Sequence, residues 1–173
     1  MQRRRNRKTG LSGSEIMNEM YVDDIFRLPC PDGFHIMDEE ETSRLNILEG
    51  GSFIGLSDPG RHMIVTIGWK KTNGLLSLIL KTKDIAERME KTIGRAMKNS
   101  GFQREGHLER IIAGSKAEGF SYYYTAQDTD MLGQSFVVKD DKTVVYFHFY
   151  ARTALRKESL KVWNMLLDSV KRA

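Results

Sequence analysis

The amino-acid sequence predicts an α+β fold: a helix–sheet–helix sandwich with a mainly antiparallel, twisted sheet and two long amphipathic helices. Three observations predict it. Short extended segments follow one another across tight turns, and such connections pair strands antiparallel because parallel pairing needs a longer crossover. Two longer segments each carry one apolar stripe at helical spacing. The segment from Thr143 to Arg152 is apolar on both alternating faces, which is typical of a strand covered on both sides.

Short strands are predicted to dominate the first half of the chain. Alternating apolar residues and flanking turn residues place them at 25–28, 34–37, 44–48, 52–56 and 62–69. The run Pro29-Cys30-Pro31-Asp32-Gly33 is a strong turn signal between the first two. The acidic run 38–41 predicts an exposed loop.

The first helix is predicted over residues 84–99. Its apolar stripe, at spacings of four and three to four, consists of Ile85, Met89, Ile93, Ala96 and Met97. Asp84 and Glu87 have the spacing of a capping box, and Gly101 suits a C-terminal stop. Residues 75–80 are compatible with this helix, with a separate helical turn or with the preceding strand.

The second half repeats this layout of strands followed by a helix, without repeating residue identities. Strands are predicted at 108–113, 117–126, 132–139 and 143–152, the last two joined as a hairpin across Asp140-Asp141-Lys142. A second helix is predicted over about 155–171. Its stripe consists of Leu160, Trp163, Leu167 and Val170, widened by Leu166.

The charge distribution divides the chain into a basic tail, residues 1–13, predicted to be disordered, and a single domain, residues 14–173. The net charge is +4, but five of the 27 basic residues lie within the first eight positions, which leaves 22 basic against 23 acidic residues in the remainder. A nucleic-acid protein usually spreads its basic residues over a folded face. We therefore expect no specific nucleic-acid partner.

The cytoplasm is the expected location. No apolar run approaches the roughly 20 residues of a transmembrane helix, and no apolar segment follows the basic N-terminus as it would in a signal peptide. Cys30 is the single cysteine, so an internal disulfide is impossible, which fits a reducing compartment.

The familiar signatures of catalysis and cofactor binding are absent. The sequence has no phosphate-binding glycine loop, dinucleotide fingerprint, HExxH, nucleophile elbow or CxxC. Cys30 would need a neighbouring histidine or helix N-terminus to act as a nucleophile, and a structural role is favoured. The histidines at 35, 62, 107 and 148 lie on four segments without a closely spaced pair, so no metal site and no cofactor are predicted.

A row of aromatic side chains is the candidate binding face. Tyr146, His148 and Tyr150 alternate on one face of a predicted strand, and Tyr122 and Tyr124 are predicted to lie on an adjacent strand. One interpretation makes these residues the wall of a polar, aromatic pocket. The other, which is favoured, packs them under a helix with their hydroxyls at the rim of the sheet.

Several short motifs resemble the PsbP-like superfamily. They are the strand ending in Pro29-Cys30-Pro31-Asp32-Gly33-Phe34, the tyrosines Tyr122-Tyr123-Tyr124, and the closing hairpin and helix from Val144 to Val170. The superfamily contains an oxygen-evolving photosystem subunit and a nuclear import factor that binds the Ran GTPase. The resemblance covers about residues 22–172 and implies an antiparallel sheet between helices. It implies no catalytic residues, because the superfamily shares no catalytic motif.

The sequence therefore favours a non-enzymatic protein-interaction or accessory module. The alternative is a small-ligand-binding protein or an enzyme that uses the candidate face. A third hypothesis is electrostatic attachment of the segment from Arg3 to Lys8 to nucleic acid or membrane. A protein partner is compatible with the first hypothesis, but the sequence identifies neither that partner nor an oligomeric state.

Overall fold

The computed structural model describes residues 19–45 and 51–173, and every element given below lies within these ranges. The strands are Glu19–Val22 (β1), Phe26–Pro29 (β2), His35–Ile36 (β3), Ser52–Asp58 (β4), Met63–Lys71 (β5), Gln103–Ile112 (β6), Ser115–Ala126 (β7), Thr129–Asp140 (β8), Thr143–Arg152 (β9) and Lys171–Arg172 (β10). The α-helices are Glu39–Ser43 (α1), Gly74–Ile79 (α2), Thr82–Ala96 (α3) and Arg156–Ser169 (α4). Short 3-10 turns precede β6 and α4, at Lys98–Ser100 and Thr153–Leu155.

The strands form two antiparallel sheets. Seven strands make the main sheet in the order β3-β4-β5-β9-β8-β7-β6, and β1-β2-β10 make a smaller one. Each strand pair in the described part of the chain is antiparallel. The predicted α+β class with a mainly antiparallel sheet is therefore confirmed.

Two-residue turns align the long central strands. Ala113 and Gly114 join β6 to β7, and Gln127 and Asp128 join β7 to β8, all four at positive φ. Positive φ at both turn positions matches the right-handed twist of the flanking strands. Asp141, with φ of 46°, begins the turn between β8 and β9, where the sequence predicted a hairpin.

The two faces of β9 belong to different apolar cores, which explains why the strand is apolar throughout. Phe147 and Phe149 are buried with Trp163 of α4, and the rings of Phe149 and Trp163 stack with centroids 5.3 Å apart. On the opposite face, Tyr146 is buried in a cluster that includes Met89 of α3. Burying each large apolar side chain contributes roughly 1.5–3 kcal/mol. Helices thus cover the sheet from both sides, as the sequence predicted.

The helix α3 begins and ends differently from the prediction. Lys81 is its N-cap and makes no side-chain capping bond, so the predicted Asp84–Glu87 capping box is wrong. The helix starts earlier than expected, which places Asp84 inside the first turn. Its negative charge there interacts favourably with the positive end of the helix dipole. Gly101, with φ of 68°, stops the following 3-10 turn as predicted. Residues 75–80 fall mostly in the separate helix α2.

The acidic run 38–41 has no buried residue, but it forms the start of a helix, so the predicted loop is wrong. Asp38 is the N-cap of α1: its carboxylate accepts a bond from Glu41 N at 2.9 Å, and the Glu41 carboxylate accepts one from Asp38 N at 3.0 Å. This reciprocal capping box satisfies two backbone N–H groups. Arg44 and Leu45 form a turn, not the start of the predicted strand 44–48, whose other residues lie outside the described ranges.

The smaller sheet has no counterpart in the sequence prediction except for β2. The strands β1 and β10 contain four and two residues, and no strand was predicted at either position. The predicted tail, residues 1–13, lies outside the described residues. Among the described residues, no helix is long and apolar enough to cross a bilayer.

Candidate binding cavity

The predicted aromatic face exists, but its two halves are not on neighbouring strands. Tyr122 and Tyr124 lie on β7 and His148 on β9, and β8 runs between these strands, so the predicted adjacency is wrong. Gly133 of β8 lies opposite Tyr122 on one side and opposite Tyr150 on the other. Because Gly133 has no side chain, the ring of Tyr122 can lie directly over it.

The close approach at Gly133 is tight. A Cβ atom on this residue would lie 2.4 Å from Cζ of Tyr122. The ring of Tyr122 is in turn held between Phe102 and Phe120, with centroid distances of 5.3 and 5.2 Å. The glycine is therefore needed for the ring arrangement.

The five predicted residues divide into two structural roles. Tyr122 and Tyr146 are buried in the core beneath α3, as the packing interpretation expected. Tyr124, His148 and Tyr150 line a cavity of about 730 Å³ beside the C-terminal end of α3. This volume is typical of small-molecule sites in proteins. We refer to it below as the α3 cavity.

The α3 cavity combines an apolar wall with the aromatic one. Apolar side chains that line it include Ile93 of α3, the C-cap residue Met97, Met63 and Ile64 of β5, and Met131 of β8. The rings of Tyr124 and Tyr150 meet edge to face at 6.4 Å between centroids. Such a lining favours a ligand with a flat, apolar body.

The charged groups beside the α3 cavity leave a cationic rim. Asp58 is buried, but it forms a salt bridge with Arg61 and accepts a bond from Arg61 N at 3.0 Å, so its charge is compensated. Arg44 and Arg152 also line the cavity. Arg44 pairs with Glu40 at 2.5 Å, whereas Arg152 has no acidic partner among the described residues. The rim therefore favours an anionic group.

Polar groups at the back of the cavity form a hydrogen-bonded series. Nδ1 of His148 lies 2.7 Å from Oγ of Ser135, and that hydroxyl lies 3.4 Å from the hydroxyl of Tyr122. The His148 ring stacks between Tyr146 and Tyr150 at 6.4 Å from each. Burial, with a smaller contribution from Tyr122, raises the pKa of Tyr124, so its phenol stays protonated and can donate a hydrogen bond.

Comparisons with known proteins find likeness in structure and not in sequence. No protein-family model and no curated protein matches the sequence significantly. The solution structure of cyanobacterial PsbP (CyanoP) from Synechocystis sp. PCC 6803 matches with a TM-score of 0.68 at 14% identity, covering 96% of this chain and 99% of that one. The chain has the PsbP-like fold.

Two further solved structures resemble this PsbP-like fold. LpqN, a Mycobacterium tuberculosis protein involved in cell envelope biogenesis, matches with a TM-score of 0.58 at 14% identity, covering 86% of this chain and 83% of its own. PA94, a Pseudomonas aeruginosa protein of unknown function, matches with a TM-score of 0.54 at 14% identity, covering 88% and 94%. At these identities the likeness concerns the fold alone.

Cys30 lies away from the α3 cavity, beside α4. Its thiol donates a weak bond to the carbonyl of Phe34 at 3.5 Å, and burial raises its pKa. The ring of His35, the nearest histidine in sequence, is instead bonded to Glu41 at 2.9 Å. This environment opposes the thiolate that a nucleophilic cysteine requires.

The fold also assembles a cluster that the sequence analysis missed. His107, Glu109 and Glu118 place their ligand atoms within 4.8 Å of one another on β6 and β7. No short motif marks the cluster, because its members lie on both strands of a hairpin. Counting outward from the turn at Ala113 and Gly114 would have paired Glu109 with Glu118, as observed.

Proposed function

We propose that the protein is a non-enzymatic accessory module that binds a small organic anion in the α3 cavity. The observation that carries this proposal is the combination, in one cavity of about 730 Å³, of the Tyr124–Tyr150 pair with the cationic rim. An aromatic carboxylate has both the flat body and the anionic group that this lining favours.

The hydrogen-bonded series behind the cavity supports binding over chemistry. Ser135 bridges His148 and Tyr122 through its hydroxyl, and Ser135 itself is fully buried. An acyl-transfer nucleophile has to reach its substrate, and a serine covered in this way is placed to orient His148 instead. The series therefore contributes a fixed hydrogen-bonding surface to the cavity wall.

A library of aromatic carboxylates tests the proposal. Thermal-shift screening should find members that stabilise the wild-type chain, and calorimetry should then give 1:1 binding. Arg152→Ala should weaken that binding about tenfold or more, since a hydrogen bond to a charged group contributes about 1.5–3 kcal/mol. Arg88→Ala, which removes the same charge from α3 outside this cavity, is the matched control and should leave affinity unchanged.

Two outcomes would contradict the cavity proposal. One is a library in which no aromatic carboxylate stabilises the chain. The other is binding that Arg88→Ala and Arg152→Ala weaken equally, because the cavity would then contribute nothing specific beyond net charge.

A second candidate function, binding of a protein partner, is favoured by the surface of α2. Leu75, Leu78 and Ile79 are 73%, 84% and 67% exposed, although they occupy three of the six positions in this helix. Exposed apolar side chains grouped in this way mark interaction surfaces. The exposed side chains of Lys81 and Lys83 follow directly. We propose a partner segment that carries apolar residues flanked by acidic ones.

The α2 surface can be tested separately from the cavity. Leu78→Asp places a negative charge at the most exposed of these positions and should abolish co-purification of an acidic partner at native expression level. Arg152→Ala should leave that interaction intact, because it changes a different surface. A partner retained equally by wild type and Leu78→Asp would refute this interface. We also propose that the protein is located in the cytoplasm, which cell fractionation would test.

A further inference from the structure

The hairpin of β6 and β7 places two carboxylates opposite each other, where their like charges destabilise the sheet. Glu109 and Glu118 are directly opposite in the strand register, and like charges in that relation destabilise a sheet. The side chain of Glu118 is only 4% exposed, so water does little to screen its charge. A buried carboxylate of this kind requires a compensating cation.

Lys116 supplies part of that compensation. Its Nζ lies 2.7 Å from Oε1 of Glu118 and 3.4 Å from Oε2 of Glu109. One ammonium group facing two carboxylates leaves one negative charge in excess when His107 is neutral. A divalent cation would match the two carboxylates in charge.

The ring of His107 lies at the open side of the same cluster. Its Nε2 is 3.3 Å from Oε1 of Glu109 and 2.9 Å from Oε2 of Glu118. Despite that short distance, the Oε2 atom of Glu118 is shielded from solvent and has no hydrogen bond of acceptable geometry in the described part of the chain. An imidazole nitrogen and an unsatisfied buried carboxylate oxygen thus face each other.

We propose that His107, Glu109 and Glu118 bind a divalent transition-metal cation, with Lys116 moving out to admit it. One imidazole and two carboxylates suit Zn²⁺ or Co²⁺, whereas Ca²⁺ and Mg²⁺ need more oxygen ligands. Tetrahedral Zn²⁺ with ligand distances of about 2.0–2.2 Å separates its ligands by roughly 3.3–3.6 Å. The ligand atoms lie within 4.8 Å of one another already, so modest side-chain rotation completes the site.

The displacement of Lys116 is sterically open. Its side chain is 58% exposed, and as a long, flexible chain it can extend into solvent while the metal takes the position between the carboxylates. His107 is also partly exposed, so the remaining coordination position faces water. This arrangement predicts competition between the Lys116 ammonium and the metal for the same two carboxylates.

Calorimetric titration of the untagged full chain, stripped of metal, with ZnCl₂ and CoCl₂ tests the proposal. Wild type should bind one equivalent. His107→Ala and Glu109→Gln, which change partly exposed side chains, should each weaken binding at least tenfold. Lys116→Met should strengthen it by about tenfold, because the competing ammonium group is gone. His35→Ala is the matched control, since His35 pairs with a single glutamate, and it should bind as wild type does.

The competition gives the experiment its sharpest contrast. If the cluster were only an ion-pair network, removal of Lys116 would leave metal affinity unchanged or lower it, and either result overturns the proposal. Absence of binding by wild type overturns it as well, as does binding that His35→Ala reduces and His107→Ala does not. Circular dichroism of each variant confirms that the fold is intact before titration.

Discussion

Substitution of Gly133 by alanine should destabilise the protein, because the methyl group has no room. The new Cβ would lie 2.4 Å from Cζ, 2.5 Å from Cε2 and 2.7 Å from the hydroxyl of Tyr122. These atoms belong to a fully buried ring that Phe102 and Phe120 hold in place. The ring cannot withdraw without disturbing both neighbours.

The expected loss follows from the cost of overpacking a dense core, about 1–3 kcal/mol. Alanine offsets part of this loss, since a strand glycine is less favourable than alanine by roughly 0.5–1 kcal/mol. We therefore expect Gly133→Ala to lower the free energy of unfolding by about 1 kcal/mol. At a urea m-value of about 2 kcal/mol/M, the unfolding midpoint should fall by about 0.5 M.

Urea unfolding followed by circular dichroism measures this change. Gly106→Ala is the matched control, because Gly106 also lies in a long strand of the main sheet and a Cβ there would meet open space. It should be neutral or slightly stabilising. In a Tyr122→Leu background, Gly133→Ala should cost about 1–2 kcal/mol less, since the clashing ring is absent. Equal costs in both backgrounds, or a midpoint for Gly133→Ala within error of wild type, would refute the reasoning.

Three further predictions concern titratable groups. Burial, together with the nearby Tyr122, raises the pKa of Tyr124, so its phenol should ionise later than ordinary tyrosines. Because the unfolded chain loses that proton first, the free energy of unfolding should fall as the pH rises above about 10. Ultraviolet titration should show a late tyrosinate step that Tyr124→Phe removes. Survival of that step in the variant would contradict the assignment. A hydrogen bond from His35 lowers the pKa of Glu41 in the folded chain. The ionised pair therefore stabilises the fold at pH values above the ordinary glutamate pKa, and this contribution is lost as the pH falls through the lowered pKa of Glu41. In carbon-detected NMR titration, His35→Ala should raise the midpoint of Glu41, and an unchanged midpoint would count against the pair. Burial raises the pKa of the Cys30 thiol, so iodoacetamide should alkylate it several-fold more slowly in the folded chain than in urea; equal rates would show that the thiol is not shielded.

Local patterns predicted the main elements well where the chain carries a long periodic signal. The alternation along β9 correctly assigned its residues to two faces, and those faces belong to the two cores of the sandwich. The stripes of α3 and α4 likewise faced the sheet. Two short elements were missed: the Asp38–Glu41 capping box was predicted as an acidic loop, and β10, with two residues, was not predicted.

The candidate face was predicted in part. Alternation placed Tyr146, His148 and Tyr150 on one side of a strand, which is a property of the backbone and holds in the structure. It could not reveal that β8 separates them from Tyr124, nor that the face continues from the packed core into the open α3 cavity. Which residues of the face are covered depends on where the C-terminal end of α3 lies over the sheet, and this position is a property of the tertiary structure.

The sequence by itself determined the class of the fold, because the periods of strands and helices and the positions of tight turns are local properties of the chain. Strand order, the end of the sheet left open beyond α3, and the meeting of His107 with Glu118 were decided only by tertiary structure. These features depend on distances between residues far apart in the chain, which are set when all the layers pack together at once.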